Sequence, residues 1–256
     1  MLDEKCKVVV HQEIGSGYRY LIVEAPKMAE ELVPGQFVHV KVPALEMSAL
    51  RRPFSVFDAT DGMVVILYKT VGRGTAALNG VKEGDEISIL GPLGHGFPTE
   101  CSGTALLVGG GFGVAPLHFL AKRLPGKKIL FAGGRTEHDL LAIDRFKLIP
   151  NTELKLATND GSVGAKGFVT LPLDETIADL KAKGEKFELY TCGPDGLLKA
   201  VTERALANGV PGWISCDRHM ICGVGACYAC IQKTVRGNSR CCIEGPIFAA
   251  GDLIWE

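Results

Sequence analysis

Four cysteines near the end of the chain constrain its fold more than any other feature. Cys222, Cys227 and Cys230 are separated by four and then two residues, and Cys242 follows after a further eleven. This is a spacing by which four thiolates hold a [2Fe–2S] cluster. The glycines and alanines between the first three cysteines let backbone N–H groups approach sulfur, and such hydrogen bonds help to set a cluster's potential. The spacing therefore predicts a [2Fe–2S] cluster and an electron-transfer protein.

The same thiolates leave a structural zinc site open as an alternative. Zinc ligands more often come as two separated pairs of closely spaced cysteines, which a trio followed by a distant fourth cysteine fits poorly. Cys241 stands beside Cys242 and is a second candidate for the fourth ligand. We expect Cys242 to be that ligand, with Cys241 as the alternative.

Length, charge and cysteine content limit the classes of protein that the chain can belong to. Its 256 residues exceed the usual size of one domain, and 46% hydrophobic residues are enough to build more than one core. The net charge of −1 gives no electrostatic reason to bind nucleic acid or an anionic membrane. The N-terminus shows no secretion signal, and the apolar runs are too short to cross a bilayer. Nine cysteines, an odd count, then favour the reducing cytoplasm.

The pattern of strands and helices predicts three domains. Residues 1–100 contain many short β-rich runs separated by turns, which predicts a small antiparallel barrel. Residues 101–212 alternate strand and helix, with helices over 115–124 and 194–208, which predicts an α/β domain with a parallel sheet. Residues 213–256 carry the cysteines and show little regular pattern. The predicted fold class is a multidomain β and α/β protein with a small C-terminal iron–sulfur domain.

Two motifs in the predicted barrel suit a flavin dinucleotide. Arg52-Pro53-Phe54-Ser55 begins a strand, and its arginine can meet a diphosphate while its aromatic and hydroxyl side chains contact a flavin ring. Gly72, Gly74 and Thr75 follow the strand that ends at Lys69 and suit a phosphate cradle of backbone N–H groups. Alone, the first motif is an edge strand begun by proline and the second an ordinary turn. Together, in one barrel, they predict an FAD site.

Two further motifs lie at strand ends of the predicted α/β domain. The glycine run 109–116 joins a strand to a helix, which is the context that phosphate binding needs. It departs from the Rossmann fingerprint, because Val114 replaces the third glycine and Arg135 stands near the position of the usual ribose-binding acid. Cys192 ends the next-to-last strand, at the edge where α/β domains bind ligands; a buried structural thiol is the alternative. We predict a variant nucleotide-binding domain.

Taken in order, these motifs resemble those of the ferredoxin–NADP reductase superfamily. With the cysteine segment behind them, the whole chain is similar to the electron-transfer subunits of class 1B dihydroorotate dehydrogenases. The resemblance rests on Arg52-Pro53-Phe54-Ser55, Gly72-x-Gly74-Thr75, the glycine run 109–116, Asn159-Asp160-Gly161-Ser162, Cys192-Gly193-Pro194 and the four cysteines. It extends over essentially all of the chain.

The resemblance implies three cofactors and a partner. It places FAD on Arg52, Phe54, Ser55, Lys69, Gly74 and Thr75, the nicotinamide side of NAD on Gly111, Gly113, Asp160 and Cys192, and the cluster on the four cysteines. It also implies a flavin-containing catalytic subunit that oxidises dihydroorotate in pyrimidine biosynthesis, in an assembly with two copies of each chain. Electrons would pass from that subunit through the cluster and FAD to NAD⁺. We assign no catalytic base in this chain.

Two other functions stay open at this stage. The same module fits the small subunit of a ferredoxin–NADP oxidoreductase or of a sulfide dehydrogenase. A flavin-fold assembly module with a structural zinc would not be an enzyme at all. Arg135 also leaves NADP open beside NAD, because a guanidinium can bind a 2′-phosphate.

Overall fold

Six antiparallel strands form a closed barrel at the start of the chain. The structure is a computed structural model that describes residues 1–43 and 50–255. The barrel strands are β1 (Leu2–Gly15), β2 (Tyr18–Glu24), β3 (Phe37–Lys41), β4 (Arg52–Thr60), β5 (Met63–Lys69) and β6 (Glu86–Leu93). They close in the order β1-β2-β5-β4-β3-β6, and short helices α1 (Pro26–Glu31) and α2 (Arg73–Leu78) lie between them. The predicted barrel is confirmed.

A mainly parallel sheet with helices follows. Its elements are β7 (Thr104–Gly110), α3 (Val114–Arg123), β8 (Lys128–Gly134), α4 (Ile143–Lys147), β9 (Thr152–Thr158), β10 (Ala165–Lys166), α5 (Thr170–Ala182), β11 (Phe187–Cys192), α6 (Asp195–Asn208) and β12 (Gly212–Ser215). All six residues of β11 are buried, as expected for a parallel strand covered on both faces. α6 ends where predicted, since Gly209 follows it with a left-handed φ of 61°. The predicted α/β architecture is confirmed.

The cysteine segment is tied back to this sheet. It contains a hairpin of β13 (Ile231–Thr234) and β14 (Gly237–Arg240), and then β15 (Ile247–Ala249). β15 pairs antiparallel with β12, so the sheet order is β10-β9-β8-β7-β11-β12-β15. The sequence predicted little regular structure here. The three residues of β15 are too few to show a strand pattern, and their pairing partner, β12, lies more than thirty positions earlier in the chain.

Helix α3 joins the barrel to the sheet domain. His118 on this helix stacks on Phe57 of β4, with ring centroids 4.0 Å apart, and its Nδ1 lies 3.2 Å from the Phe57 carbonyl oxygen. One turn further, Lys122 pairs with Asp58 at 2.6 Å. These contacts hold the edge of the barrel against the carboxyl ends of the parallel strands. Among the described residues, no helix is long and apolar enough to cross a membrane.

Candidate cofactor clefts and cysteine centre

A cleft opens where the barrel meets the sheet domain and the cysteine segment; we call it the barrel cleft. Its walls are Phe37, Pro53, Phe54, Ser55, Leu67, Tyr68, Lys69, Val71, Thr75, Phe112, Ala115, Pro116, Cys192, Ser215, Cys216, Asp217, Met220 and Pro246. Five of the residues predicted to bind FAD, from the beginning of β4, the end of β5 and helix α2, are among them. The closed barrel brings these three chain positions together because β4 and β5 are neighbours.

Arg52, Gly72 and Gly74 lie beside this wall and shape it. A Cβ atom on Gly74 would stand 2.1 Å from Nε of Arg52, so the guanidinium packs directly over the glycine. Nη1 of Arg52 donates to the carbonyl oxygen of Leu50 at 2.8 Å. The Thr75 hydroxyl accepts hydrogen bonds from the backbone N–H of Gly72 and of its predecessor, at 3.1 and 2.9 Å. The cradle thus combines a fixed cation with an ordered turn, which suits a diphosphate.

A second cleft, the sheet cleft, lies at the carboxyl ends of the parallel strands. Its walls are Tyr18, Lys69, Gly110, Gly111, Phe112, Gly133, Gly134, Arg135, Asp139, Asn159, Gly167, Phe168, Val169, Thr170, Pro194, Gly196, Leu197 and Ala200. This is the position at which α/β domains bind nucleotides. The glycines at the ends of β7 and β8 allow neighbouring segments to pack closely, since a Cβ atom on Gly110 would lie 2.9 Å from Pro194 and one on Gly133 would lie 2.8 Å from Val169.

The predicted nicotinamide-side residues do not all lie in the sheet cleft. Gly111 lines it. Gly113 lies underneath, since a Cβ there would be 2.2 Å from the carbonyl oxygen of Cys192. Cys192 itself faces the barrel cleft, and burial raises the pKa of its thiol to about 12, so the thiol is neutral. Asp160 lies just beyond the cleft residue Asn159.

The Asp160 carboxylate is held by its own loop. It accepts hydrogen bonds from the backbone N–H and the hydroxyl of Ser162, at 3.0 and 2.7 Å. These bonds lower the pKa of Asp160 below its ordinary value, so the side chain is a carboxylate at neutral pH.

Lys69 and Phe112 line both clefts, which therefore meet at these two side chains. Nζ of Lys69 lies 4.6 Å from the ring centroid of Tyr18, and the Phe112 side chain is half exposed. Sequence reasoning missed Phe112; its signal is a large aromatic residue inside a run of glycines. Two ligands bound in the two clefts would face one another across this junction.

The four predicted cysteines lie close together as two pairs. Cys222 lies beside Cys227, and Cys242 lies beside Cys230. Cys222 also acts electrostatically on Cys242, so the pairs are neighbours. Burial raises the pKa of Cys222, but hydrogen bonds, among them that from the backbone N–H of Val224, outweigh it and lower this pKa to about 7. A pKa near neutrality suits a sulfur that binds metal as a thiolate.

Cys241 lies next to the pairs and is fully buried. Burial together with the neighbouring Cys216 and Cys230 raises the pKa of its thiol. Its backbone N–H donates to the carbonyl oxygen of Cys230 at 2.8 Å. A buried thiol of raised pKa is a poorer metal ligand than a thiolate.

Two pairs of thiols fit a group with two metal ions better than a single ion. A tetrahedral zinc site needs four ligands around one centre, whereas a [2Fe–2S] cluster takes two thiolates on each iron. The donor set, entirely sulfur, suits both metals. The arrangement in pairs therefore fits the cluster.

The segment before the cysteines connects this centre to the barrel cleft. Cys216, Asp217 and Met220 form part of the cleft wall, two to six residues before Cys222. Arg218 fixes the segment, since its guanidinium bonds to the carboxylate of Asp195 at 2.7 Å and to the Gln232 side chain at 2.6 and 2.9 Å. The barrel cleft and the cysteine pairs are thus parts of one continuous region.

Comparison with known proteins identifies the domains. Residues 5–97 match the oxidoreductase FAD-binding domain, residues 107–203 the oxidoreductase NAD-binding domain, and residues 217–254 the iron–sulfur cluster binding domain of dihydroorotate dehydrogenase B. The class of protein is thus an oxidoreductase with FAD-binding, NAD-binding and iron–sulfur domains. The third match counts against the structural zinc alternative.

Full-length relatives narrow the class. The chain is 36% identical over 263 residues to the dihydroorotate dehydrogenase B (NAD(+)) electron transfer subunit of Fusobacterium nucleatum, covering 99% of both chains. It is 37% identical to the subunit of the same name from Geobacillus thermodenitrificans, covering 98% of each. The chain belongs to the family of dihydroorotate dehydrogenase B electron-transfer subunits.

Solved structures agree on the fold. The structure of an NADH-dependent reduced ferredoxin–NADP oxidoreductase, described for flavin-based electron bifurcation, matches with a TM-score of 0.86 and 32% identity, over 98% of this chain and 90% of that one. The ferredoxin reductase of carbazole 1,9a-dioxygenase matches with a TM-score of 0.65, over 82% of this chain and 66% of that one. At 21% identity the latter shows the fold alone.

Proposed function

We propose that this chain transfers electrons from a separate catalytic subunit, which oxidises dihydroorotate, to NAD⁺. The observation that carries the proposal is the continuity of three binding regions in one chain. The sheet cleft meets the barrel cleft at Lys69 and Phe112, and the barrel cleft continues through Asp217 and Met220 to the cysteine pairs. A bound flavin exchanges electrons in pairs with a nicotinamide and singly with a cluster, which is why it belongs between them.

The residues of the barrel cleft have separate roles in this proposal. Arg52 supplies the fixed charge for a diphosphate, and Gly74 leaves the space in which that guanidinium lies. Phe54 offers an apolar face to the flavin ring, and Ser55 offers it a hydroxyl. Pro53 lies beside them, and Lys69 lies at the end of the cleft. Gly72 and Thr75 hold the cradle turn.

The sheet cleft is the proposed NAD(H) site. Gly111 lines it, while Gly113 and Cys192 support its glycine loop from below. NAD is preferred to NADP in this proposal, because the full-length relatives are named for NAD(+). Arg135, in the wall of the sheet cleft, is the residue that would meet the 2′-phosphate if NADP were the ligand.

Cys222, Cys227, Cys230 and Cys242 are the proposed cluster ligands, with Cys242 in preference to Cys241. The pairing of the thiols supports this set. The proposed domains are 1–100, 101–212 and 213–256. The first boundary lies between the end of β6 at Leu93 and the beginning of β7 at Thr104, whereas the second falls within β12 (Gly212–Ser215). We propose a cytoplasmic assembly with two copies each of this chain and of a flavin-containing catalytic subunit.

The experiment is reconstitution with a dihydroorotate dehydrogenase catalytic subunit expressed together with the full chain. The purified pair should reduce NAD⁺ when dihydroorotate is added, and the catalytic subunit alone should not. Flavin, iron and sulfide analyses of the same sample should find FAD and two irons per copy of this chain. Absence of NAD⁺ reduction in a pair with all cofactors present would contradict the proposal.

A second candidate is the small subunit of a ferredoxin–NADP oxidoreductase. The 32% identity to a solved oxidoreductase of that name, over 90% of its chain, favours it. The same preparation separates the two functions. Reduction of NADP⁺ by NADH together with reduced ferredoxin, without any response to dihydroorotate, would support the second candidate instead.

A further inference from the structure

His39 is a buried barrel residue with a polar atom that nothing in the protein satisfies. It lies on β3, opposite Pro53 of β4, and its side chain is 1% exposed. Across residues 1–43 and 50–255, its Nε2 has no hydrogen-bond partner. Burial and the charge of Arg51 lower the pKa of His39 to about 4, so the ring is neutral and carries one N–H.

His11, in the same barrel, provides a comparison, because both of its ring nitrogens have hydrogen-bond partners. Its Nδ1 lies 2.7 Å from the Val81 carbonyl oxygen, and its Nε2 lies 2.8 Å from the Tyr68 hydroxyl. A buried polar atom without a partner costs about 1–3 kcal/mol, and most such atoms in native proteins are therefore bonded. The unpartnered Nε2 of His39 thus points to an acceptor that the polypeptide does not itself supply.

The imidazole of His39 faces the cysteine loop. A Cβ atom on Gly223 would lie 2.7 Å from Cε1 and 2.8 Å from Nε2 of His39, so the edge of the ring that carries Nε2 is against this glycine. Gly223 also has a left-handed φ of 70°. Only glycine meets both demands easily. Gly223 directly follows Cys222, which begins the loop that ends at Cys227.

We propose that His39 is a positioning residue of the iron–sulfur site, whose Nε2–H donates a hydrogen bond to a sulfur acceptor at the Cys222 loop when the cluster is bound. The inference rests on the cluster proposed above. A hydrogen bond to sulfur stabilises the extra negative charge of the reduced form, and it therefore raises the reduction potential. The barrel that holds FAD then also tunes the cluster.

A spectroscopic test uses the full chain labelled with ¹⁵N only in histidine. Pulsed EPR of the dithionite-reduced protein should show a ¹⁵N coupling to the cluster. The coupling should disappear in His39→Gln and persist in His219→Gln, a matched control three residues before Cys222. No ¹⁵N coupling in the wild-type protein, or its loss only in the control, overturns the proposal.

A redox titration followed by EPR gives the second readout. His39→Leu removes the donor and should lower the midpoint potential, whereas His39→Gln keeps an N–H and should restore part of the difference. Equal potentials in wild type and His39→Leu, with full iron content, overturn the proposal; if the leucine variant binds no cluster, the labelling result decides. A wild-type protein without iron would instead contradict the proposed function, so the two failures are distinguishable.

Discussion

At the scale of single residues, the adjacent cysteines 241 and 242 have different proposed roles: Cys242 is a cluster ligand and Cys241 is a buried core residue. Cys242 lies beside Cys230, whereas Cys241 is packed in the core beside Cys216. Spacing alone could predict the trio of Cys222, Cys227 and Cys230. It could not decide between neighbours, because the choice depends on which face of the chain turns toward the loop.

We predict opposite outcomes for Cys227→Ser and Cys241→Ser. The first removes one member of a thiol pair, so iron and sulfide content and the cluster's visible absorption should be lost. NADH-driven reduction of an artificial acceptor at the flavin should survive, because the barrel cleft is untouched. Cys241→Ser should retain the cluster. Loss of iron from Cys241→Ser, with retention in Cys242→Ser, would assign the fourth ligand to Cys241 instead.

A second residue-scale prediction concerns His118 and pH. Burial against Phe57 lowers the pKa of His118 to about 4. The Asp58 carboxylate and the Phe57 carbonyl oxygen act to raise this pKa, whereas the positive charges of Lys122 and Arg145 lower it further. Since the folded pKa lies below the unfolded one, its contribution to stability is complete above about pH 6.5 and is lost as pH falls toward about 4. The loss is at most about 1.4 kcal/mol for each pH unit in this window.

The measurement is thermal unfolding of the holoprotein at pH 7 and pH 5. His118→Phe keeps a ring on Phe57 but cannot titrate, so its melting temperature should fall less between the two pH values than that of the wild type. His138→Gln, an exposed histidine, is the control and should behave as wild type. An equal fall in all three proteins would show that His118 does not contribute.

At the scale of elements, the local sequence pattern could predict those strands and helix ends that depend only on residues close together in the chain. The barrel strands alternate buried and exposed residues, as in β6, and α6 ends at a glycine in the left-handed region. Both signals lie within the element itself. β15 and the pairing of β12 with it could not be predicted, because they depend on contacts between distant segments. For the same reason, no local pattern could predict that His39 lies against Gly223.

Helix α2 carries the element-scale prediction. Gly74→Ala would put a Cβ 2.1 Å from Nε of Arg52, so the guanidinium must leave the cradle. Loss of one charge-assisted hydrogen bond costs about 1.5–3 kcal/mol, or roughly ten- to a hundredfold in affinity for FAD. Flavin retained after gel filtration measures this. Gly80→Ala, whose Cβ meets only a carbonyl oxygen at 3.4 Å, should retain its flavin. Equal retention in both variants would contradict the role of Arg52.

At the scale of the whole molecule, the three domains place their binding regions along one path. The sheet cleft opens to solvent, where a diffusible nucleotide can enter and leave. The barrel cleft is enclosed by all three domains, which suits a cofactor that stays bound. The cysteine loop lies at the far end of the path, and Cys227 is exposed. An electron carrier with this order needs a second protein at the cysteine loop, because single electrons enter the chain there.

The surface around that loop is apolar, and this supports the last prediction. Ile221, Val224, Tyr228 and Ile243 are each 38–63% exposed around the cysteines, and the nearby Arg240 is neutralised by Glu244. Such a patch suits a permanent subunit interface better than a transient electrostatic encounter.

Val224→Lys should therefore prevent assembly with the catalytic subunit while leaving FAD in the barrel. An uncompensated charge at the centre of an interface costs about 3 kcal/mol or more, which is roughly a hundredfold in affinity. Size-exclusion chromatography of the two chains expressed together measures assembly, and iron content shows whether the cluster is still bound. Leu148→Lys, an equally drastic change at an exposed leucine of the sheet domain, is the matched control. If the Val224 variant assembles as well as the control, the partner binds elsewhere, and electrons must enter the chain by another surface.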